Sequence, residues 1–306
     1  MTAEEGAPVP SIPVQDANEA AGESTADGLF DPDSVTRRIM GQPIMWIAGF
    51  RALYLQALHP RVMRGTWQNT ALADPQQAWG RFMRTAEFVG VRTFGSAAEV
   101  ERAGRRIRKV HASLTGTDTD GTRFRLDEPE LLLWVHCGEV ASYADIARRC
   151  GMPLSRGDID TFMDEQRRGA TVVGLDPAIV PASAAELAAY YARMRPLLRA
   201  TPEARKALLR SVIPAVPEGF LAFKLVAPPL TTLAFATLPR WARRMYGVPA
   251  SPLADLTATA ALRACYQGSS GVAGQLLLRP AARAARQRMR THRRDGQRGE
   301  PFRAAS

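Results

Sequence analysis

Leu131-Leu-Leu-Trp-Val-His-Cys137 lies in a segment that Asp127 opens and Gly151 closes, and it is apolar on nearly every face of a helix. Such a helix belongs at the centre of a domain, enclosed by others. The surrounding sequence supplies them: Ser96-Ala-Ala-Glu99, Ser155-Arg-Gly-Asp158 and Ser183-Ala-Ala-Glu186 have capping-box spacing, and Thr201-Pro202-Glu203 sets proline at a first helical position. The pattern predicts helices near 33–40, 42–59, 75–91, 97–114, 128–149, 156–172, 184–199, 202–212, 220–245 (broken at Pro228-Pro229), 252–266 and 272–286. Strand signals are confined to Thr115–Arg125, where Asp120-Gly121 between Thr, Arg and Phe residues reads as one small hairpin. The expected fold class is all-α, a single compact multi-helix domain over 31–286 with no internal repeat of fixed period.

Composition bounds the function. The chain has 306 residues, 46% of them hydrophobic, enough for a sizeable core. Residues 1–30, rich in Ala, Glu, Gly, Pro and Ser, are expected to form a disordered leader, and 287–306 an Arg-rich disordered tail. Positions 1–36 carry eight acids, no Lys or Arg and no long apolar run, so no secretory signal is read and a cytoplasmic location is expected. Three cysteines without CxxC spacing, Cys137, Cys150 and Cys265, argue against a disulfide scaffold or a cysteine-rich zinc module. The net charge of +10 is polarised, with nine arginines against two acids in 279–306. That tail lacks interleaved aromatics, so specific nucleic-acid binding is not expected. The apolar stretch Val212–Leu238 is interrupted by Glu218, Lys224 and prolines and does not read as a membrane span; with Arg240, Arg243 and Arg244 after it, peripheral docking to anionic membrane stays open.

Four histidines occur, and His292 lies in the basic tail. Neither a zinc-protease His pair nor the two Glu-x-x-His units of a di-iron bundle is present, and there is no phosphate-binding glycine loop or GxSxG elbow. His111 shares a helix face with Val100, Ala103, Ile107, Val110 and Leu114, opposite Arg102, Arg105, Arg106, Arg108 and Lys109. Its imidazole is expected to point inward, either as a core histidine bonded to a carbonyl or as a haem axial ligand, which requires a neutral imidazole. On the preceding helix, opened by Asp74-Pro75, Trp79, Phe82, Met83, Ala86 and Val89 form an apolar stripe beside a second stripe of Arg81, Arg84, Thr85 and Phe88. Two arginines beside a threonine either clamp carboxylates or form a solvated flank. His136 either lines a cavity or is a satisfied core histidine, and His59, before Pro60, is expected to cap the last carbonyls of its own helix.

Taken in order, several runs resemble the MpaB-type oxygenase family, which includes the catalytic domain of rubber oxygenase, or latex clearing protein. They are Gly49-Phe-Arg-Ala-Leu-Tyr-Leu-Gln-Ala-Leu-His59-Pro60-Arg-Val-Met, Arg81-Phe-Met-Arg84-Thr85-Ala, Arg92-Thr93-Phe94-Gly95, Val110-His111, Asp127-Glu-Pro-Glu-Leu-Leu-Leu-Trp134-Val-His136, Tyr190-Tyr191-Ala-Arg-Met-Arg195-Pro and Leu238-Pro-Arg-Trp241. The likeness spans roughly residues 31–286. It implies a helical fold enclosing haem b (iron), with dioxygen and carbon–carbon double bonds as the reactants of the best-understood members. It also implies that His111 is the proximal iron ligand and that Arg81, Arg84 and Thr85 lie on the distal, catalytic side; Arg81 and Arg84 are expected to contact the cofactor there, His136 to reach a propionate from behind the ligand shell, and His59 to be structural. Rubber-cleaving members carry lysine where Arg84 stands. A guanidinium stays charged and only donates, so Arg84 is expected to donate to dioxygen or a propionate rather than ligate. That favours a smaller apolar, unsaturated or polycyclic substrate, presented by a pocket lined partly by Trp134 and Phe88, over polyisoprene. The rival expectation is a noncatalytic helical protein on an anionic membrane, and a third keeps the haem for peroxide-driven oxidation or dehydrogenation.

Overall fold

The computed structural model describes residues 28–69, 75–212, 221–249 and 251–268. Most of the expected leader, the helix expected over 272–286, the basic tail with His292, and Asp74 lie outside the described residues, as does the Trp79 side chain. In chain order the elements are α1 (Val35–Met40), α2 (Met45–Gln56), α3 (Pro60–Asn69), α4 (Pro75–Phe94), α5 (Ala97–Ser113), β1 (Thr115–Thr117), β2 (Arg123–Arg125), α6 (Pro129–Arg149), α7 (Arg156–Thr171), α8 (Ala184–Met194), α9 (Pro202–Val212), α10 (Leu221–Ala236), α11 (Arg240–Met245) and α12 (Pro252–Gly268). The domain is all-α apart from the antiparallel β1–β2 hairpin, which pairs Thr115 with Arg125 and Thr117 with Arg123.

α6 begins with Pro129 at its first turn and ends in a Schellman closure. Gly151 takes φ +85°, and Met152 N–H donates to Ala147 O at 3.2 Å. Twelve of its residues are buried, from Leu131 to Ala147, and Trp134 is fully enclosed. Its main partner is α2, clasped reciprocally: Trp134 Nε1 donates to Gln56 O at 3.0 Å and Gln56 Nε2 donates to Val135 O at 2.9 Å. One turn inward, buried Arg51 reaches from α2 to Ser142 Oγ at 2.8 Å, to Asp145 at 3.4 Å and to Thr237 O at 3.3 Å. That single guanidinium joins α2 to α6 and to the turn after α10. Glu165 of α7 accepts from the Val35 and Thr36 N–H groups and caps α1 from outside the helix.

Three features differ from the sequence reading. Pro60 does not follow a terminal helix but opens α3, and His59 Nδ1 accepts from Val62 N–H at 3.4 Å; the imidazole caps the next helix rather than its own. α10 runs through Pro228-Pro229, because Ala227, Thr231 and Ala234 form a fully buried face and Thr231 Oγ1 ties back to Ala227 O at 2.7 Å. The break falls instead at 237–239, where Pro239 sits at the N-cap of α11. The helix expected to reach residue 199 turns at Met194 into a 3₁₀ turn that contains Pro196. No helix among the described residues is long and apolar enough to cross a membrane.

Trp134→Ala removes the largest buried side chain and the indole clasp together. It should destabilise the domain by about 3–5 kcal/mol, read as a lowered urea midpoint.

Candidate functional site

The site forms where α4 and α5 run antiparallel. The two helices are joined by Gly95 and by the Ser96 capping box, in which Glu99 accepts from the Ser96 N–H at 2.8 Å. A Cβ on Gly95 would approach Val91 O to 2.6 Å, so the tight turn excludes any larger residue. Arg81 lies thirteen residues before the end of α4 at Phe94, and His111 fourteen after the start of α5 at Ala97. Equal rises of about 20 Å bring both to the same end of the hairpin.

His111 is half-buried, not enclosed in the core as the apolar stripe suggested. Of that stripe only Val100 is buried, and Val110 is 41% exposed. The ring's Nδ1 is nevertheless buried and has no hydrogen-bond partner. Burial, then the Arg81 charge, hold its pKa below the ordinary imidazole value, against the opposing pull of Asp127. The ring is therefore neutral at pH 7. Arg81 is half-buried, and burial followed by the Arg84 charge lowers its pKa from the usual guanidinium value. Arg84 is exposed and folds back along α4, its Nη1 3.3 Å from where a Cβ on Gly80 would stand. Thr85 is also exposed and donates its hydroxyl to Arg81 O at 3.1 Å. Met83, expected in an apolar stripe, is 37% exposed.

His136 is brought to the other end of the same α4 stripe. It is buried on α6, its Nε2 has no partner, and burial, then the charge of Arg92, push its pKa down to about 4. Buried Arg92 and half-buried Glu139 beside it pair at 2.7 Å, with Arg92 also stacked 5.9 Å over Phe88. From Arg81 to Arg92 is eleven residues, about 16 Å of helix. The stripe Arg81-Thr85-Phe88-Arg92 thus spans the distance between two imidazoles, and Arg92 with Glu139 are the members that sequence reasoning missed. The available signal was Arg92 falling four residues after Phe88. Trp134 packs with His59, Tyr190 and Tyr191 in the core, where its N–H is already bonded. A cleft of about 190 Å³ opens between Gly28, Ala97, Val100, Arg108 and Thr171; it is below the roughly 300–1,000 Å³ of ligand pockets, and neither histidine lines it. Among the described residues no group of three or more His, Cys, Asp or Glu is placed to hold a bare metal ion.

Comparison with known proteins gives the class: residues 37–267 match a family model of oxygenase catalytic domains. The chain belongs to the family described as ER-bound oxygenase mpaB/B'/Rubber oxygenase, catalytic domain. Neither the curated proteins nor the solved structures give a match.

The buried histidines fix a pH dependence. His59 and His136 both titrate near 4 in the fold against an ordinary 6.5. A lowered folded pKa means stability is whole above pH 6.5 and is lost as pH falls towards 4, by about 3 kcal/mol per histidine. Urea unfolding at pH 7 and pH 4.5 should show the loss, and His136→Gln should remove about half of the slope.

Proposed function

We propose that the protein is a haem b-dependent oxygenase that uses dioxygen on a small apolar, unsaturated organic substrate, with His111 as the residue that would hold the iron. The observation that carries the proposal is the neutral, half-buried imidazole of His111, with one nitrogen buried and unpartnered and Arg81 beside it. An unpaired buried ring nitrogen costs free energy that a bound group recovers. The donor set fits haem: one neutral imidazole, cationic donors for carboxylates in Arg81, Arg84 and Arg92, and incompletely covered apolar side chains in Met83, Ile107 and Val110. When bound, the haem supplies the redox reactivity towards dioxygen that side chains lack.

The protein's part is orientation and exclusion of water. His111 carries one proton at neutral pH and keeps a lone pair on its other nitrogen. Arg81 and Arg84 hold only N–H donors, so they orient an oxygen-bearing or carboxylate group without becoming ligands themselves. Thr85 spends its proton on Arg81 O at rest, and rotation about χ1 redirects the hydroxyl to a bound group. His136, with Arg92, offers buried nitrogens to a propionate. Met83, Ile107 and Val110 keep water from the apolar substrate once covered.

A second reading, peripheral docking on anionic membrane, is favoured by the exposure of Leu225 (81%) and Leu253 (72%), with exposed Arg240 and Arg244 on α11 between their helices. The two readings separate by colour: the first gives a red protein with a Soret band, the second a colourless one whose liposome binding falls with salt.

His111→Ala, expressed with haem supplied, should lose the Soret band while keeping its helical circular dichroism. Full haem in His111→Ala, with loss in His136→Ala or His59→Ala, would move the ligand to another histidine. Arg84→Lys should let a sixth ligand form at raised pH and change the resting ferric spectrum; an unchanged spectrum up to about pH 10 removes Arg84 from the distal face.

A further inference from the structure

On the side of α5 opposite His111, Arg102, Arg105, Arg106 and Lys109 are all exposed, at i, i+3, i+4 and i+7. Glu101 answers part of this charge, pairing with Arg105 at 3.0 Å and Arg108 at 3.6 Å. Among the described residues, Arg102, Arg106 and Lys109 form no ion pair. Like charges at this spacing work against the helix, so the row does not hold the fold together. The rest of the face is Ala98 and Ser113. It has no apolar side chain to enter a bilayer and no aromatic on which a base would stack.

We infer that this row is the docking surface for an acidic electron-transfer protein that reduces the group held at His111. The inference rests on the function proposed above. Complementary charge would steer and orient such a partner. A helix with its side chains is about 10–12 Å across, so a partner seated on the row approaches the His111 side through one layer of protein. In the step, one electron leaves a reduced [2Fe–2S] cluster of the partner, which is oxidised by one unit. A haem iron held by His111 would accept it, passing from ferric to ferrous, with no proton or bond transferred.

The test uses the haem-loaded full chain, an acidic [2Fe–2S] ferredoxin as probe, and the triple variant Arg102→Glu, Arg106→Glu, Lys109→Glu. Calorimetry should show wild-type binding that weakens tenfold or more between about 50 mM and about 500 mM salt, and a comparable loss in the variant at low salt. Reduction of the Soret band by the ferredoxin should slow to match, while dithionite reduces both proteins equally and their haem content agrees. Equal ferredoxin binding and reduction in both proteins overturns the inference. So does ferredoxin that fails to bind while anionic liposomes bind the wild type and not the variant. A colourless wild-type protein overturns the function proposed above instead, and ferredoxin binding, which needs no haem, still reports on the surface.

Discussion

A helix buried on every side must satisfy each of its polar groups from other elements, and α6 is such a helix. Trp134 finds Gln56 O, Ser142 and Asp145 find Arg51, and Cys137 O receives the Tyr191 hydroxyl at 3.1 Å. Arg149 carries the pattern to α12 through Thr259 at 2.8 Å and Asp255 O at 3.0 Å, and Asp255 in turn pairs with Arg240 and Arg243 on α11. Removing one member of such a network leaves its partner buried and unpaired, which costs more than the lost bond. Against this background the exceptions are informative. His136 Nε2 and Arg92 Nε at one end of the α4 stripe, and His111 Nδ1 at the other, are buried without partners. Tyr190 OH and Arg243 Nε, away from the α4 stripe, are buried without partners as well.

What the sequence made legible follows from local physics. Capping boxes at Ser96 and Ser155 formed as read, because Glu99 and Asp158 need only the adjacent backbone to close them. The hairpin formed around Asp120-Gly121, with Gly121 at φ +86°. Pro60 and Pro228-Pro229 were misread for a common reason. A proline's effect depends on whether the N–H it lacks was needed, which tertiary packing decides. At Pro60 it was an N-terminal orphan, and within α10 the fully buried Ala227, Thr231 and Ala234 outweigh two missing donors.

The candidate site was legible in its types and less so in its depth. Periodicity put His111 on an apolar face, yet Val110 and Ile107 beside it are only partly covered by protein. An apolar stripe that meets a neighbouring helix and one that meets a ligand have the same spacing, so pattern alone does not distinguish them. The Arg92–Glu139 pair was invisible because its two halves lie 47 residues apart.

That pair explains how a site at one end of α4 can be held from the other. Arg92-Thr93-Phe94-Gly95 is the anchored end: Arg92 is tied to α6, Thr93 Oγ1 to Val89 O at 2.8 Å, Phe94 is buried, and Gly95 closes against Val91 O. α4 and α5 both leave this point as helices without interior prolines, and a helix transmits its register rigidly along its length. The position of Arg81 relative to His111 is therefore fixed at a turn about 20 Å away, and the far end of the hairpin needs few contacts of its own. A side chain such as Met83 or Val110 can stay partly uncovered there without loosening the geometry.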